Sequence, residues 1–310
     1  MQREFHKAEL WRRAAAFGVQ KGPDWFVRYA PTWIGWFMAV VLGSARRAVR
    51  ANLRLIFGRR SLGRELADVF RTFASFAHSL VEGMQAEQSA RPVEVHGADE
   101  LRALLSSGRG LVLVTAHAGP YDRAAQLIST DLGARVMLLM GHEEDERAAA
   151  FQDQIRRDFQ VRVLRLGRHP LDALPALEHL AAGGIVAAQI DRVPELQEAI
   201  RGELFGRDFL VPRGPFVLAG LAGVPLAAVF VGRREDGSYE TIAGQPLVIP
   251  RRPSEEELVR DASVVLGGFE DYLRRFPTQW YNFARRPQET SSEERERRGA
   301  GENHLAKGAP

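Results

Sequence analysis

From Ser61 onward the apolar positions recur at three- and four-residue spacing: Leu62, Leu66, Val69, Phe70, Phe73, Phe76, Ala77, Leu80 and Val81. That period belongs to an amphipathic helix. Further on, short apolar runs alternate with amphipathic stretches. The runs predict strands at Leu111–Thr115, Arg135–Met140, Val161–Leu166, Ile185–Ile190 and Leu226–Val231, and a polar-alternating strand at Tyr239–Ile249. Helices are predicted at Tyr121–Ser129, Asp145–Phe159, Leu171–Ala182, Pro215–Leu221 and Glu255–Phe276. Fully apolar strands alternating with helices imply an α/β fold, with a mainly parallel central sheet flanked by helices on both faces.

The first 60 residues follow a different pattern. Between Arg28 and Arg46 lie 17 residues without a charge, YAPTWIGWFMAVVLGSA. Tyr29, Trp33 and Trp36 stand toward one end, and Arg46, Arg47 and Arg50 follow the other. Seventeen residues is the short limit for a spanning helix, and Pro31 is expected to shorten the helical part further. Flanking aromatics and arginines are interfacial anchors. The segment therefore reads as a membrane-facing helix, interfacial or shallowly inserted, with a true span and a core helix as the alternatives. A cleaved signal peptide fits less well, because a polar stretch precedes the run and arginines follow it at once.

Charge strengthens that reading. Residues 1–60 hold twelve Lys/Arg against three acids, whereas the whole chain is only +3. A basic arm on a mildly acidic body suggests an anionic partner. The tryptophan-rich run inside the arm favours a membrane surface over nucleic acid. The chain has no cysteine, which excludes disulfides, thiolate-held metal clusters and a cysteine nucleophile. After about Arg285 large apolar residues almost vanish, so residues 288–310 read as a disordered tail. The expected organisation is a membrane-associating helical segment at 1–60, an α/β domain at 61–287, and that tail.

The candidate chemistry starts at GLVLVTAHAGPYD, Gly110 to Asp122, where an apolar strand ends at His117. In open α/β sheets ligands bind outside the carboxyl ends of strands, and His117 falls at one. Gly119 allows close backbone approach. Pro120 suits a helix start and places Asp122 in the first turn, where its carboxylate is expected to accept from one imidazole nitrogen. The other nitrogen would then serve as a general base. Spacing alone is weak: with eight histidines and 39 acids, about one His-x4-acid pair arises by chance, and one is found.

Three more stretches stand in order behind it. AAGGIVAAQIDR (Ala181 to Arg192) is a glycine turn and a buried strand ending at Asp191-Arg192. LFGRDFLVPRGPFVLAGLAGVPLAAVFV (Leu204 to Val231) carries a Pro-Arg-Gly-Pro elbow before an apolar helix, and WYNFARRP (Trp280 to Pro287) closes the body. Singly, these read equally well as a strand-end salt bridge, a helix-starting turn and an aromatic core plug. As an ordered set, with the basic ARRAVRANLRLIF segment before them, they resemble the lysophospholipid acyltransferase superfamily, in its lipid A biosynthesis lauroyl/myristoyl acyltransferase branch. The resemblance spans roughly Pro31 to Pro287. Pro120 and Tyr121 stand where the branch commonly has asparagine and tryptophan, the aromatics usual after WYNF are missing, and so is the glycerolipid branch's Phe-Pro-Glu-Gly block. Those departures leave the acceptor open.

The resemblance implies transfer of a fatty acyl group from acyl-CoA or an acyl carrier protein (acyl-ACP) to a hydroxyl of a lipid or glycolipid. His117 and Asp122 would be the catalytic pair. Arg168, Asp191, Arg192, Phe205, Gly206 and Arg213 would bind substrate, with Asp191 holding Arg192 or the acceptor. No cofactor beyond the acyl donor and no metal is expected. The implied location is the inner (cytoplasmic) membrane, with the active site on the cytoplasmic side. A thioesterase using the same base, and a non-catalytic lipid-binding protein, are the competing expectations.

Overall fold

Side chains along the central strands alternate between two apolar clusters, as a sheet covered on both faces requires. Val112, Val114 and Val186 join one cluster, and Leu111, Leu113, Ile185 and Ala187 join the other. The computed structural model describes residues 22–84, 93–96, 107–131, 133–141, 161–166, 169–194 and 197–284, with 18, 100, 101, 103 and 104. The predicted helix at Asp145–Phe159 and the tail at 288–310 lie outside the described residues.

The strands are β1 (Val93–His96), β2 (Leu111–Thr115), β3 (Val136–Met140), β4 (Val161–Arg165), β5 (Ile185–Gln189), β6 (Ala199–Leu204), β7 (Arg207–Pro212), β8 (Leu226–Arg233) and β9 (Tyr239–Ala243). Seven form one sheet in the order β1-β9-β8-β2-β5-β3-β4. The five from β8 to β4 are mutually parallel, and β9 is antiparallel to β8. Helices α1 (Asp24–Val41), α2 (Gly43–Phe57) and α3 (Leu62–Met84) precede the sheet. Within it come α4 (Tyr121–Asp131), α5 (Leu174–Ala181), α6 (Gly214–Ala222) and α7 (Glu255–Arg275).

Connectivity creates a crevice. The chain leaves β2 through α4 toward β3, and leaves β5 through α6 toward β8 on the other side of β2. Ala125 of α4 packs in one cluster, while Phe216 and Ala219 of α6 pack in the other. The loops after the neighbouring strands β2 and β5 thus depart to opposite faces, the switch point at which such sheets bind ligands.

The five apolar strands fall where the periodicity puts them, to within two residues. The polar-alternating one is shorter than expected, stopping at Ala243. Gly244 still donates to the Ala228 carbonyl, but Pro246 has no N–H to give, and Leu247 then pairs with Leu226 as an isolated bridge. The predicted helix from Leu171 begins as a 3₁₀ turn, Pro170–Ala173, and becomes α-helical from Leu174, with Pro175 in its first turn. Periodicity did not reveal β1 or the β6–β7 hairpin. That hairpin turns on Phe205 and Gly206, with φ of 53° and 68°, the pair of positive angles a two-residue turn of this hand needs.

At the N-terminus α1 runs straight through Pro31 instead of being shortened by it. Pro31, Gly35 and Ala39 form its buried stripe against α3. A Cβ on Gly35 would lie 2.6 Å from the Phe73 carbonyl oxygen, so only glycine permits this approach. The helix's remaining faces are apolar and exposed: Trp33 is 66% and Phe37 64% accessible, with Tyr29, Ile34, Val40 and Val41 beside them. Arg46 of α2 donates to the carbonyls of Ala39 and Val40 at 2.7 Å each, satisfying the end of α1. Among the described residues no helix is long and apolar enough to cross a membrane.

Candidate active site

β2 and β5 pair in parallel register from Leu111↔Ile185 to Thr115↔Gln189. His117 lies two residues past Thr115 and Asp191 two residues past Gln189. Equal offsets on adjacent strands, about 4.8 Å apart, set the two side by side. The main-chain N–H of His117 donates to Asp191 Oδ1 at 2.9 Å, and His117 Nδ1 stands 2.8 Å from that same oxygen. An ionised carboxylate only accepts, so Nδ1 carries the proton and Nε2 of the neutral ring is the basic nitrogen. The ring is partly exposed, at 24%, whereas the Asp191 side chain is wholly buried. Tyr121 stands edge-on to it, 6.1 Å between centroids.

This pairing differs from the sequence expectation, in which Asp122 accepts from the imidazole and Asp191 holds Arg192 or the acceptor. The carboxylate that orients the imidazole comes from Asp191, across the sheet, and not from Asp122 five residues downstream. Asp122 sits in the first turn of α4, half-buried, with its Cβ facing Gly83 of α3. The strand register delivers Asp191 to Nδ1. Asp191 therefore faces His117.

The WYNF segment completes the site. Trp280 Nε1 donates to Asp191 Oδ2 at 2.9 Å, and Asn282 Nδ2 donates to the Asp191 carbonyl at 2.8 Å. The Tyr281 N–H donates to the His117 carbonyl at 2.6 Å. Asn52 Nδ2, from α2, donates to the Asn282 carbonyl at 2.8 Å. Burial is the largest influence on the Asp191 carboxyl and raises its pKa. The charge and hydrogen bond of His117, the Trp280 indole and the His117 N–H outweigh it, leaving the pKa below the usual aspartate value. Tyr281 is pushed up to about 12, mainly by burial, while its hydroxyl meets those of Ser75 and Ser79 on α3 at 2.9 and 3.0 Å.

Gly119 makes the bend possible. Its φ is +57°, and a Cβ there would lie 1.8 Å from the Val231 carbonyl oxygen. Its N–H donates to the Gln279 carbonyl at 2.8 Å, and Gln279 brackets Arg233 at the end of β8.

The other expected site residues disperse. Arg192 is exposed beside the pair, with one guanidinium nitrogen 3.5 Å from Asn282 Oδ1. Arg213 leads into α6 and is held by Glu255 at 2.8 Å and Glu198 at 3.4 Å. Phe205 and Gly206 are the hairpin turn, where the Phe205 N–H meets Glu270 at 2.5 Å and Arg274 lies over the ring. Those contacts run to α7 and not to His117. Arg168 lies outside the described residues. Trp280, Asn282, Asn52 and Gln279 were not singled out from the sequence. Trp280 and Asn282 stand in the WYNF block, which read equally well as a core plug, and Asn52 stands in the ARRAVRANLRLIF segment.

The sequence model of the bacterial lipid A biosynthesis acyltransferase family matches residues 6–288. The chain belongs to that family. The match covers more of the chain than the ordered blocks from Pro31 to Pro287 did, and it makes the protein an acyltransferase enzyme. A comparison with curated proteins finds no match.

Proposed function

We propose that the protein moves a fatty acyl group from an acyl thioester, acyl-CoA or acyl-ACP, to a hydroxyl of a lipid or glycolipid at a membrane surface, with His117 as general base. The observation that carries this reading is the His117 Nδ1–Asp191 Oδ1 contact of 2.8 Å at the carboxyl ends of β2 and β5. Nε2 takes the proton from the acceptor hydroxyl as its oxygen attacks the thioester carbonyl. The tetrahedral centre collapses, the carbon–sulfur bond breaks, and the imidazolium returns the proton to the departing sulfur. Asp191 stabilises the positive ring in between. Arg192, exposed beside the pair, is suited to a phosphate of the donor or acceptor.

Membrane association rests on the exposed apolar faces of α1 together with the arginines of α2. The family supplies a lipid acceptor in general terms, and lipid A precursors are the first to try. The decisive experiment compares the lipids of cells with and without the gene by mass spectrometry, alongside cells carrying His117→Ala. One lipid species is expected to gain a single acyl chain only with the wild-type gene. A lipid profile identical with wild-type and His117→Ala genes would overturn His117 as the base. Thiol release by purified protein that is undiminished without lipid would make the enzyme a thioesterase.

A further inference from the structure

Trp280 is among the most deeply buried large side chains of the protein. Phe269 meets it edge-on at 5.4 Å and Phe209 tilts against it at 6.3 Å. A buried indole needs an acceptor for its N–H. This one aims its single polar atom at Asp191 Oδ2, 2.9 Å away. The Asp191 side chain has no solvent exposure, so the indole stands where water would otherwise donate.

The carboxylate's bonds divide unevenly. Oδ1 accepts both from the His117 N–H and from Nδ1, and Oδ2 accepts from Trp280. Without a donor on Oδ2, the buried group would have reason to turn about its Cβ–Cγ bond and divide the histidine's protons between its two oxygens. The residues flanking the indole act on the same target: Tyr281 holds the His117 carbonyl and Asn282 the Asp191 carbonyl. One tripeptide thus grips both members of the pair by backbone, and Trp280 alone grips the carboxylate.

We propose that Trp280 is a positioning residue of acyl transfer: its indole N–H locks Asp191 Oδ2 so that Oδ1 fixes the His117 ring for proton abstraction at Nε2. The inference rests on the acyltransferase reading with His117 as base. Substrate touches Nε2 and not the indole, so the step from bound substrate to product should suffer while binding does not.

The test uses the full chain with acyl-CoA and acyl-ACP as donors and a total polar-lipid extract as acceptor, measuring thiol release and acylated lipid together. Trp280→Phe removes the donor but also shrinks the ring. A second variant therefore places 3-benzothienylalanine at position 280, which keeps the bicyclic shape and replaces N–H by sulfur. Both variants should lose about tenfold to a hundredfold in kcat, as expected when a hydrogen bond to a buried charge is removed. KM for the acyl donor should stay within about twofold, because uniform binding is untouched. Equal kcat for wild type and the benzothienyl variant would overturn the inference and leave the acyltransferase reading standing. A rise in KM with kcat unchanged would also overturn it, making Trp280 part of a binding wall. No transfer by the wild type with either donor would overturn the underlying reading, and the inference with it.

Discussion

Asp191 meets donors at both oxygens, and that makes an amide in its place a sharp probe. The side chain introduced by Asp191→Asn would present one oxygen and one NH2 group. Whichever way it turned, the NH2 would face either the His117 N–H groups or the Trp280 indole, a donor against a donor. If it faced the ring, His117 would be driven to the tautomer with Nε2 protonated, which cannot act as base. Asp191→Asn should therefore lower kcat by about 10³–10⁴-fold. Asp122→Asn, in the first turn of α4 and not at the carboxylate that meets Nδ1, should lower it by less than about tenfold. Parallel transfer assays of the two variants decide the point, and equal losses would return the orienting role to Asp122. The histidine was legible in the sequence as a polar residue ending an apolar strand. Its partner was not, because Asp191 reaches it only through the non-sequential neighbours β2 and β5. A trace of that register was present: six residues separate Gly110 from His117, and six separate Gly184 from Asp191.

Among the elements, the junction of α2 with α3 depends on Glu65. Arg54 grips its carboxylate with two nitrogens at 2.8 Å each, and Arg50 adds a contact of 2.6 Å. Its pKa falls to about 2, through the Arg54 bond first; burial opposes this, and the Arg50 bond and the Arg60 N–H reinforce it. A folded-state pKa below the unfolded value gives stability that is complete above the unfolded value and is lost as pH falls through the folded one. Here the window runs from about 4.3 down to about 2. Glu65→Gln should accordingly destabilise the protein near neutral pH, and the difference in urea midpoint from wild type should shrink below about pH 4. A gap unchanged across that range would mean that packing, and not charge, joins the helices. Element types were readable where one period persisted, as in α3 and the five apolar strands. The β6–β7 hairpin escaped because Phe205-Gly206 lacks the Asn-Gly or Asp-Gly signature of its turn. Pro31 misled in the other direction: packing of Pro31, Gly35 and Ala39 on α3 holds a helix that local propensity argues against.

At the scale of the whole molecule, the active site and the exposed apolar helix belong to one construction. Asn52 of α2 holds the Asn282 carbonyl, and Ser75 and Ser79 of α3 meet Tyr281, so the helices that carry α1 also brace the segment gripping His117 and Asp191. Under the proposed function, an acceptor held in a membrane and a donor from solution meet at this site, which calls for a lipid-contacting surface on the protein. The open faces of α1 suit that role. An 18-residue helix is about 27 Å long, and lying flat it offers Trp33, Ile34, Phe37 and Val41 to the acyl boundary. Large apolar side chains are worth roughly 1.5–3 kcal/mol each when fully removed from water. Replacing both Trp33 and Phe37 by serine should therefore weaken partitioning onto vesicles of anionic phospholipid by at least about tenfold, even with incomplete burial. Both positions are about two-thirds exposed, so the melting temperature should hardly move. Cosedimentation across a range of lipid concentrations measures the loss, and added salt separates the share due to Arg46 and Arg47 from the apolar share. Undiminished sedimentation of the double variant would mean that some other surface meets the lipid. The exposed face of α1 would then be the seat of a protein partner, and the acceptor would have to reach His117 by a different route.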